Sequence, residues 1–450
     1  MYLASSGQTT STVGKPISYF LSQYKKFTPF ATQFITNEVD KNQIGFGKSV
    51  RLTIPRKGDL VKTIFLKMTI RPPSQARNGT QPVPAYTTTK APGGYQVFEY
   101  IDLYIGDTRI ERLTPDTMTP HTYYNLLPNQ AIGVIGLVGN LSNLAEITEG
   151  SPQAPLLYAP ECTFMVPLPF YFFRKNAELL PLFALTKQEI TLDIKFVTKD
   201  QYVIVPYSND FNGAKPYIDY VEFLSFSMPT EYVYLSDEER SHLSKRRLDY
   251  YINQNQIQVE DFGTSLYKRF QLLFKNPVKE LFFYITNNAC YGCNTGPERN
   301  QQDLWKMNYW MVRLNSTVPY GQHQLSNVQI TLNNEVYLPK EVADYNFLNY
   351  VQPMLHHRNA ASPDLPATYI YNYSFALEPA INQPTGSLNF NAIKDVYMEV
   401  NLYNAIVDRD LVYVGTYPLS RRMVIVARSI NILSIENGMA KLQLNNNLQL

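Results

Sequence analysis

Two of the three cysteines have a spacing that is typical of metal or redox chemistry. Cys290 and Cys293 are separated by two residues, as in zinc knuckles and redox-active pairs. A structural zinc ion needs two more ligands, but the only other cysteine is Cys162, and His323 belongs to no second pair at a usual spacing. We therefore predict a reduced pair of cysteines in a loop and no metal site.

A glycine-containing segment resembles the end of a phosphate-binding loop. Gly45, Gly47, Lys48 and Ser49 match its last positions, but the first glycine that such a loop requires is replaced by Asn42. The residues that follow favour a strand, whereas a phosphate-binding loop leads into a helix. The segment is predicted to be a turn, without a bound cofactor.

Other catalytic arrangements find little support. His356 and His357 are adjacent and would point to opposite faces of a strand, so we interpret them as polar groups of a loop. The chain has no Gly-x-Ser-x-Gly elbow and no His-Glu-x-x-His motif. Paired carboxylates that meet only in space remain an open alternative. We predict no catalytic residue and no enzymatic activity.

Four asparagines lie in Asn-x-Ser/Thr sequences, the acceptor pattern for N-glycosylation. We interpret them as weak candidate glycosylation sites and as markers of exposed loops. They are Asn78, Asn140, Asn315 and Asn372.

The composition excludes several classes of protein. The net charge is +2 and only 17% of residues are charged, so the chain is not a basic nucleic-acid-binding protein. The longest apolar stretches, residues 131–139 and 164–173, are shorter than the ~18 residues that cross a bilayer. Residues 1–15 resemble no secretory signal, which with three cysteines indicates a reducing compartment such as the cytosol.

Short segments of alternating polarity, separated by Pro, Asn, Asp and Gly, recur from residue 50 onward and predict a mostly β protein. Three pairs of these segments are similar and occur in the same order, at offsets of 217, 227 and about 206 residues. This order predicts two copies of one β domain of ~200 residues. The pairs are 61–69 with 278–286, 101–107 with 328–334, and 187–194 with 394–400. In the second pair Gly106-Asp107 and Asn333-Asn334 follow the strands, and each predicts a hairpin turn.

One helix is predicted between the two copies. Ser236 begins a capping box with Glu239, and the helix should extend from Asp237 to about Tyr250. A second helical pattern at residues 16–26 suggests a docking segment.

The predicted division of the chain is 1–26 docking segment, 27–235 first β domain, 236–252 linker helix, 253–428 second β domain and 429–450 tail. Residues 71–95, 120–160 and 287–326 are predicted to be long insertions between strands.

Several blocks of sequence, in order along almost the whole chain, resemble the major capsid proteins of nucleocytoplasmic large DNA viruses. The most distinctive is Val166-Pro167-Leu168-Pro169-Phe170-Tyr171-Phe172, followed by residues 180–185. The other blocks are residues 14–20, 24–31, 54–60, 97–110, 276–281, 351–353, 373–379, 383–390 and 430–439.

The resemblance implies an all-β fold of two tandem eight-stranded jelly rolls and a structural role without catalysis. It implies a homotrimeric capsomer of pseudo-hexagonal outline that tiles an icosahedral capsid. The implied partners are further copies of the chain, neighbouring capsomers, and minor capsid and penton proteins, without direct nucleic-acid binding. The implied location is the virion, near an internal viral membrane, after assembly in the host cytoplasm. Abundant Tyr and Phe with few charges suit surfaces that become buried against neighbours.

A tandem β-sandwich that binds carbohydrate is the alternative, since such folds often carry sugar sites. Sugar platforms usually contain tryptophan, and this chain has only Trp305 and Trp310. The capsid interpretation is therefore favoured.

Overall fold

The structure, a computed structural model, describes residues 27–71, 77–78, 81–82, 88–89, 94–138, 162–204, 221–287, 325–357, 370–381, 383–403 and 421–444. Within these ranges the elements are mostly strands, with five α-helices and a π-helical turn at Phe347–Val351. The helices are α1 Pro115–Tyr124, α2 Pro128–Val138, α3 Lys199–Tyr202, α4 Asp237–Ser244 and α5 Gln352–His356. The strands of the first half are β1 Phe30–Glu38, β2 Ser49–Thr53, β3 Leu60–Arg71, β4 Arg77–Asn78, β5 Gln81–Pro82, β6 Thr88–Thr89, β7 Phe98–Ile105, β8 Thr108–Leu113, β9 Cys162–Pro167, β10 Leu180–Pro181, β11 Ile190–Phe196, β12 Val203–Ile204 and β13 Glu222–Leu235. Those of the second half are β14 Leu248–Gly263, β15 Tyr267–Gln271, β16 Pro277–Asn287, β17 Leu325–Leu332, β18 Glu335–Leu338, β19 Tyr371–Ser374, β20 Leu388–Asn389, β21 Val396–Leu402, β22 Arg421–Glu436 and β23 Met439–Leu442.

Each half of the chain forms a sandwich of two antiparallel sheets. In the first half one sheet has the order β1-β13-β3-β10, with β9 also paired to β3, and the other has the order β2-β11-β7-β8. In the second half the orders are β14-β22-β16-β19 and β15-β21-β17-β18. The two halves share one topology, and the prediction of two tandem jelly rolls is confirmed.

The three sequence repeats fall on equivalent strands of the two sandwiches. They correspond to β3 and β16, to β7 and β17, and to β11 and β21. In β11 and β21 every second residue is buried, as expected for strands with one face on a core. The predicted Asn333-Asn334 hairpin turn is also present, and both residues have positive φ, 47° and 70°, as a type I′ turn requires.

The linker helix is shorter than predicted. Ser236 caps its start, since the Ser236 side-chain oxygen accepts a hydrogen bond from Glu239 N at 3.3 Å, but α4 ends at Ser244 rather than near Tyr250. Leu248 and Tyr250 instead belong to β14, pair with β22 and pack against the first core. Burial of these apolar side chains outweighs the local helical preference.

Residues 429–444 of the predicted tail are built into the fold. The second domain was predicted to end at residue 428, but this residue lies inside β22. Residues of the predicted tail continue that strand and form β23. Leu433, Ile435 and Ala440 are buried in the hydrophobic core of the first sandwich. The C-terminal hairpin of the second half therefore packs on the first half.

The three predicted insertions differ in their secondary structure and in how much of each the structure describes. Residues 71–95 connect β3 to β7 and contain three two-residue strands, while most of residues 287–326 lie outside the described residues. The segment that was predicted to begin at Pro120 is different, because Pro120 is a buried residue inside α1, and α2 follows. This insertion does lie between strands β8 and β9, but its described part is helical, because α1 packs between the two sandwiches.

Candidate functional site at the junction of the two sandwiches

The sheet that contains β16 and β22 is covered on both faces. One face packs on the second core, through Met423 and Ile425 of β22. The opposite face carries Val424 and Val426, which pack with Tyr124 of α1 in the first sandwich. Strand β22 is consequently buried along almost its whole length, a pattern typical of strands with both faces covered.

A buried ion pair lies on the junction face of this sheet. Glu280 of β16 and Arg428 of β22 are opposite each other in the strand register, and Arg428 Nη1 lies 2.5 Å from Glu280 Oε1. Glu280 is 0% exposed and Arg428 3%. Charges in such surroundings are stable only when they are paired and hydrogen-bonded. The pair therefore depends on the additional partners around it.

The other carboxylate oxygen of Glu280 receives two hydrogen bonds. His357 Nε2 lies 2.8 Å from Glu280 Oε2, and Asn372 Nδ2 donates to the same oxygen at 3.1 Å. The second ring nitrogen of His357, Nδ1, lies 2.9 Å from the carbonyl oxygen of Tyr124. Both ring nitrogens of His357 thus face acceptors, the carboxylate of Glu280 and the carbonyl oxygen of Tyr124.

These contacts join the two sandwiches. Arg428 Nη1 donates to Asn125 Oδ1 at 2.9 Å, at the end of α1. Tyr124 Oη donates to the carbonyl oxygen of Ile370 at 2.6 Å, and Tyr284 hydrogen-bonds with Asp116 near the start of α1. Helix α1 of the first sandwich is thus held at both ends by the second.

The junction changes the pKa values of its ionisable groups. Burial alone would raise the pKa of Glu280, but the facing Arg428 and His357 outweigh it and lower that pKa to about 2. Burial lowers the pKa of Lys279 to about 7, and the charge of Arg428 adds to this effect. Burial also raises the pKa of Glu111, in the first sandwich, to about 7. Glu280 is therefore held as a carboxylate across the neutral range.

Among the described residues, large apolar side chains are exposed on β1 and near the end of α5, as well as at scattered single positions. On and just before β1 these are Phe27, Phe30 and Phe34, with 57 to 76% of each residue exposed. On the second sandwich, Leu355 of α5 and Leu377 are exposed near each other, since His356 Nδ1 hydrogen-bonds to the carbonyl oxygen of Leu377. Exposed apolar clusters of this kind mark surfaces of protein association.

Both halves of the chain match families of known proteins. Residues 18–236 match the family described as "Major capsid protein N-terminus". Residues 239–441 match the family described as "Large eukaryotic DNA virus major capsid protein". The chain belongs to the major capsid protein family of large eukaryotic DNA viruses. Members of this capsid protein family are structural proteins and not enzymes.

Individual members of the family are similar over their full length. The major capsid protein of Paramecium bursaria Chlorella virus 1 is 24% identical, over 98% of this chain and 97% of the relative. That of Phaeocystis pouchetii virus is 23% identical, over 99% and 98%. A quasi-atomic model of the PBCV-1 virus capsid has a TM-score of 0.71 at 20% identity, over 95% of this chain and all of the other. The Faustovirus major capsid protein has a TM-score of 0.68 at 12% identity, over 93% of each chain. These structures share the double jelly-roll fold.

The structure places the four candidate glycosylation sites of this capsid protein in different surroundings or leaves them undescribed. Asn372 is wrong as a marker of an exposed loop, because it is fully buried in β19 and its amide donates to Glu280. Asn78 lies in the short strand β4. Asn140 and Asn315 lie outside the described residues, as do Cys290, Cys293 and the two tryptophans.

The histidines were also misjudged from the sequence. His356 and His357 end helix α5, and His357 is buried in the junction rather than exposed in a loop. Their neighbours in sequence give no sign of this, since the partners Tyr124 and Glu280 are 233 and 77 residues away. By contrast, the segment at Gly45 is the predicted turn before β2, with Gly47 at φ 77°.

Across the described ranges, no three His, Cys, Asp or Glu side chains are grouped so that they could hold a metal ion. No helix in the described part of this capsid protein is long and apolar enough to span a bilayer.

Proposed function

We propose that the chain forms homotrimeric capsomers of pseudo-hexagonal outline, which tile an icosahedral capsid. Two sandwiches of one topology, joined by a buried junction, support this proposal. Three such chains place six similar sandwiches around one axis. A head-to-tail contact must close into a ring to avoid an open fibre.

The first exposed apolar surface, formed by Phe27, Phe30 and Phe34, is proposed to contact a neighbouring chain. Strand β1 pairs only with β13 among the described strands, so it lies at the edge of its sheet. Large aromatic side chains on an unpaired edge favour association unless a neighbour covers them. The surface around Leu355 and Leu377 provides a different patch, as a head-to-tail contact requires.

Light scattering and negative-stain images of the purified chain test the trimer. We expect Phe30→Ser with Phe34→Ser to shift the molecular mass from trimer toward monomer. The matched control is Thr32→Ser with Thr36→Ser on the same face of β1, and it should remain trimeric. A wild-type monomer at micromolar concentration would contradict the proposal.

The place of assembly, the partner proteins, the domain limits and the position of the insertions are also proposals. Assembly in the host cytoplasm, contact with minor capsid and penton proteins, and a position near an internal viral membrane are all inferred from family membership. We propose domain limits of 27–235 and 248–442, since β14, β22 and β23 share one sheet. The long insertions at residues 71–95 and 287–326 are proposed to form part of the outer face.

A further inference from the structure

A cavity of about 550 Å³ opens between the two sandwiches, next to the buried ion pair. Its first wall is formed by α1, α2 and the segment after Phe172, and its second wall by Ala380, Ile381 and Gln383 of the second sandwich. Lys279 supports the second wall, because its Nζ donates to the carbonyl oxygen of Ile381 at 2.8 Å. The volume lies within the range of small-molecule sites, roughly 300–1,000 Å³.

The polar lining of this cavity consists of cations and neutral groups. It includes Arg174 and Lys175, together with four neutral hydrogen-bonding side chains. Burial lowers the pKa of His121 well below its usual value, with a further contribution from Arg174, so this imidazole is neutral. No acidic side chain of the described residues lines the cavity. The neutral groups are His121, Asn125, Gln130 and Gln383.

Arg174 forms no short ion pair among the described residues, although Glu111, Glu178 and Glu280 act on its charge. Its side chain is only 11% exposed, and its ion-pair partner among the described residues is Glu111, at 3.9 Å. Glu111 Oε2 accepts from Tyr171 N, and Arg174 Nε has no hydrogen-bond partner within the described ranges. A largely buried guanidinium normally forms short bonds to two carboxylate or phosphate oxygens. Those bonds are not made by any described side chain here.

We propose that this cavity binds a small organic molecule with a multivalent oxyanion group, phosphate or carboxylate, held by Arg174 and Lys175. The anion would supply the acceptors that Arg174 lacks, and the amides of Asn125 and Gln383 would contact it from opposite walls. Because the walls belong to different sandwiches, the bound molecule would stabilise their junction. This site is independent of the trimer proposal.

Isothermal titration of the purified full chain with inorganic phosphate, and separately with citrate, tests the site at constant ionic strength. We expect saturable binding of at least one probe, and the tighter probe identifies the oxyanion. Saturating probe should also raise the Tm by about 2–4 °C relative to chloride. Equal Tm values in probe and chloride, or no saturable binding of either probe, would overturn the proposal.

Three variants and a matched control make the test specific. Lys175 is exposed, so Lys175→Gln should fold normally and weaken binding about 3- to 10-fold, while Arg174→Gln should weaken it at least ~10-fold. Glu111→Gln removes the competing charge and should tighten binding several-fold. The exposed Lys245→Gln, on the linker, is the matched control and should leave affinity unchanged. Equal binding by the wild type and Lys175→Gln would refute the assignment.

Discussion

Glu280 and Arg428 form the ion pair that links the second sandwich to helix α1. Removal of one partner leaves the other charge buried, which typically costs about 3–5 kcal/mol. We therefore expect Arg428→Met to lower the free energy of unfolding by that amount in urea titrations. Arg51→Met is the matched control, because Arg51 contacts Asp193 at 3.3 Å on the surface and exposed pairs contribute about 1 kcal/mol or less. Similar losses of unfolding free energy in the two variants would contradict the larger contribution expected of the buried pair.

Lys279 gives the junction a dependence on pH. Its folded pKa of about 7 lies below the ordinary value of 10.5, so the unfolded chain binds more protons between these values. Stability should therefore rise as the pH increases from 7 toward 10.5, by an amount on the order of a few kcal/mol. Urea midpoints of wild type and Lys279→Met across this range measure the effect.

The Lys279→Met variant should show a flatter pH profile than the wild type over the same interval. Lys340→Met, which removes an exposed lysine, is the control and should retain the wild-type slope. Parallel profiles for wild type and Lys279→Met would contradict the predicted role of this buried amine.

At the scale of elements, the C-terminal hairpin packs on the first sandwich through its turn. Gly438 has φ 85°, its carbonyl oxygen accepts from Lys187 N at 3.1 Å, and a Cβ there would lie 2.5 Å from Thr186 Oγ1. Gly438→Ala should therefore both strain the turn and push the hairpin away. Gly263→Ala, at φ 55° with no atom near the new Cβ, isolates the backbone strain of about 1–2 kcal/mol.

We expect Gly438→Ala to cost about 1–3 kcal/mol more than Gly263→Ala, because steric overlap adds to strain. Hydrogen exchange provides a local measurement. The amide of Ala440 donates to Gln188 Oε1 at 2.7 Å, and its exchange should accelerate in Gly438→Ala but not in Gly263→Ala. Unchanged protection in both variants would contradict the role of this turn.

At the scale of the whole molecule, the proposed trimer has a mass of 3 × 51.7, or ~155 kDa. Its contacts are expected to be mainly apolar, as the exposed phenylalanines of β1 suggest. Salt of about 1 M reduces the screening length to ~3 Å and weakens ionic contacts, but it does not weaken apolar ones. Light scattering should therefore give the same mass at 0.1 and 1 M salt. Dissociation in 1 M salt would indicate an ionic interface instead.

The sequence by itself determined the architecture of this protein. The alternation of apolar and polar residues in a strand depends only on neighbouring residues, so it can be seen in the sequence. In β11 and β21 the structure shows the same alternation, since every second residue is buried. Duplication was visible because equivalent strands in the two halves keep similar residues in the same order. Turn chemistry was also local, as at Asn333 and Asn334, whose positive φ angles agree with the predicted hairpin.

Only the tertiary structure decided how the two halves are joined. Glu280, His357 and Arg428 come from three separate segments, and no local pattern distinguishes them from residues on a solvated strand face. The linker helix ended early for the same reason, because Leu248 and Tyr250 gain more from burial against the first core than from another helical turn. Burial and pairing depend on which surfaces meet in space, and that information is distributed over segments far apart in the chain.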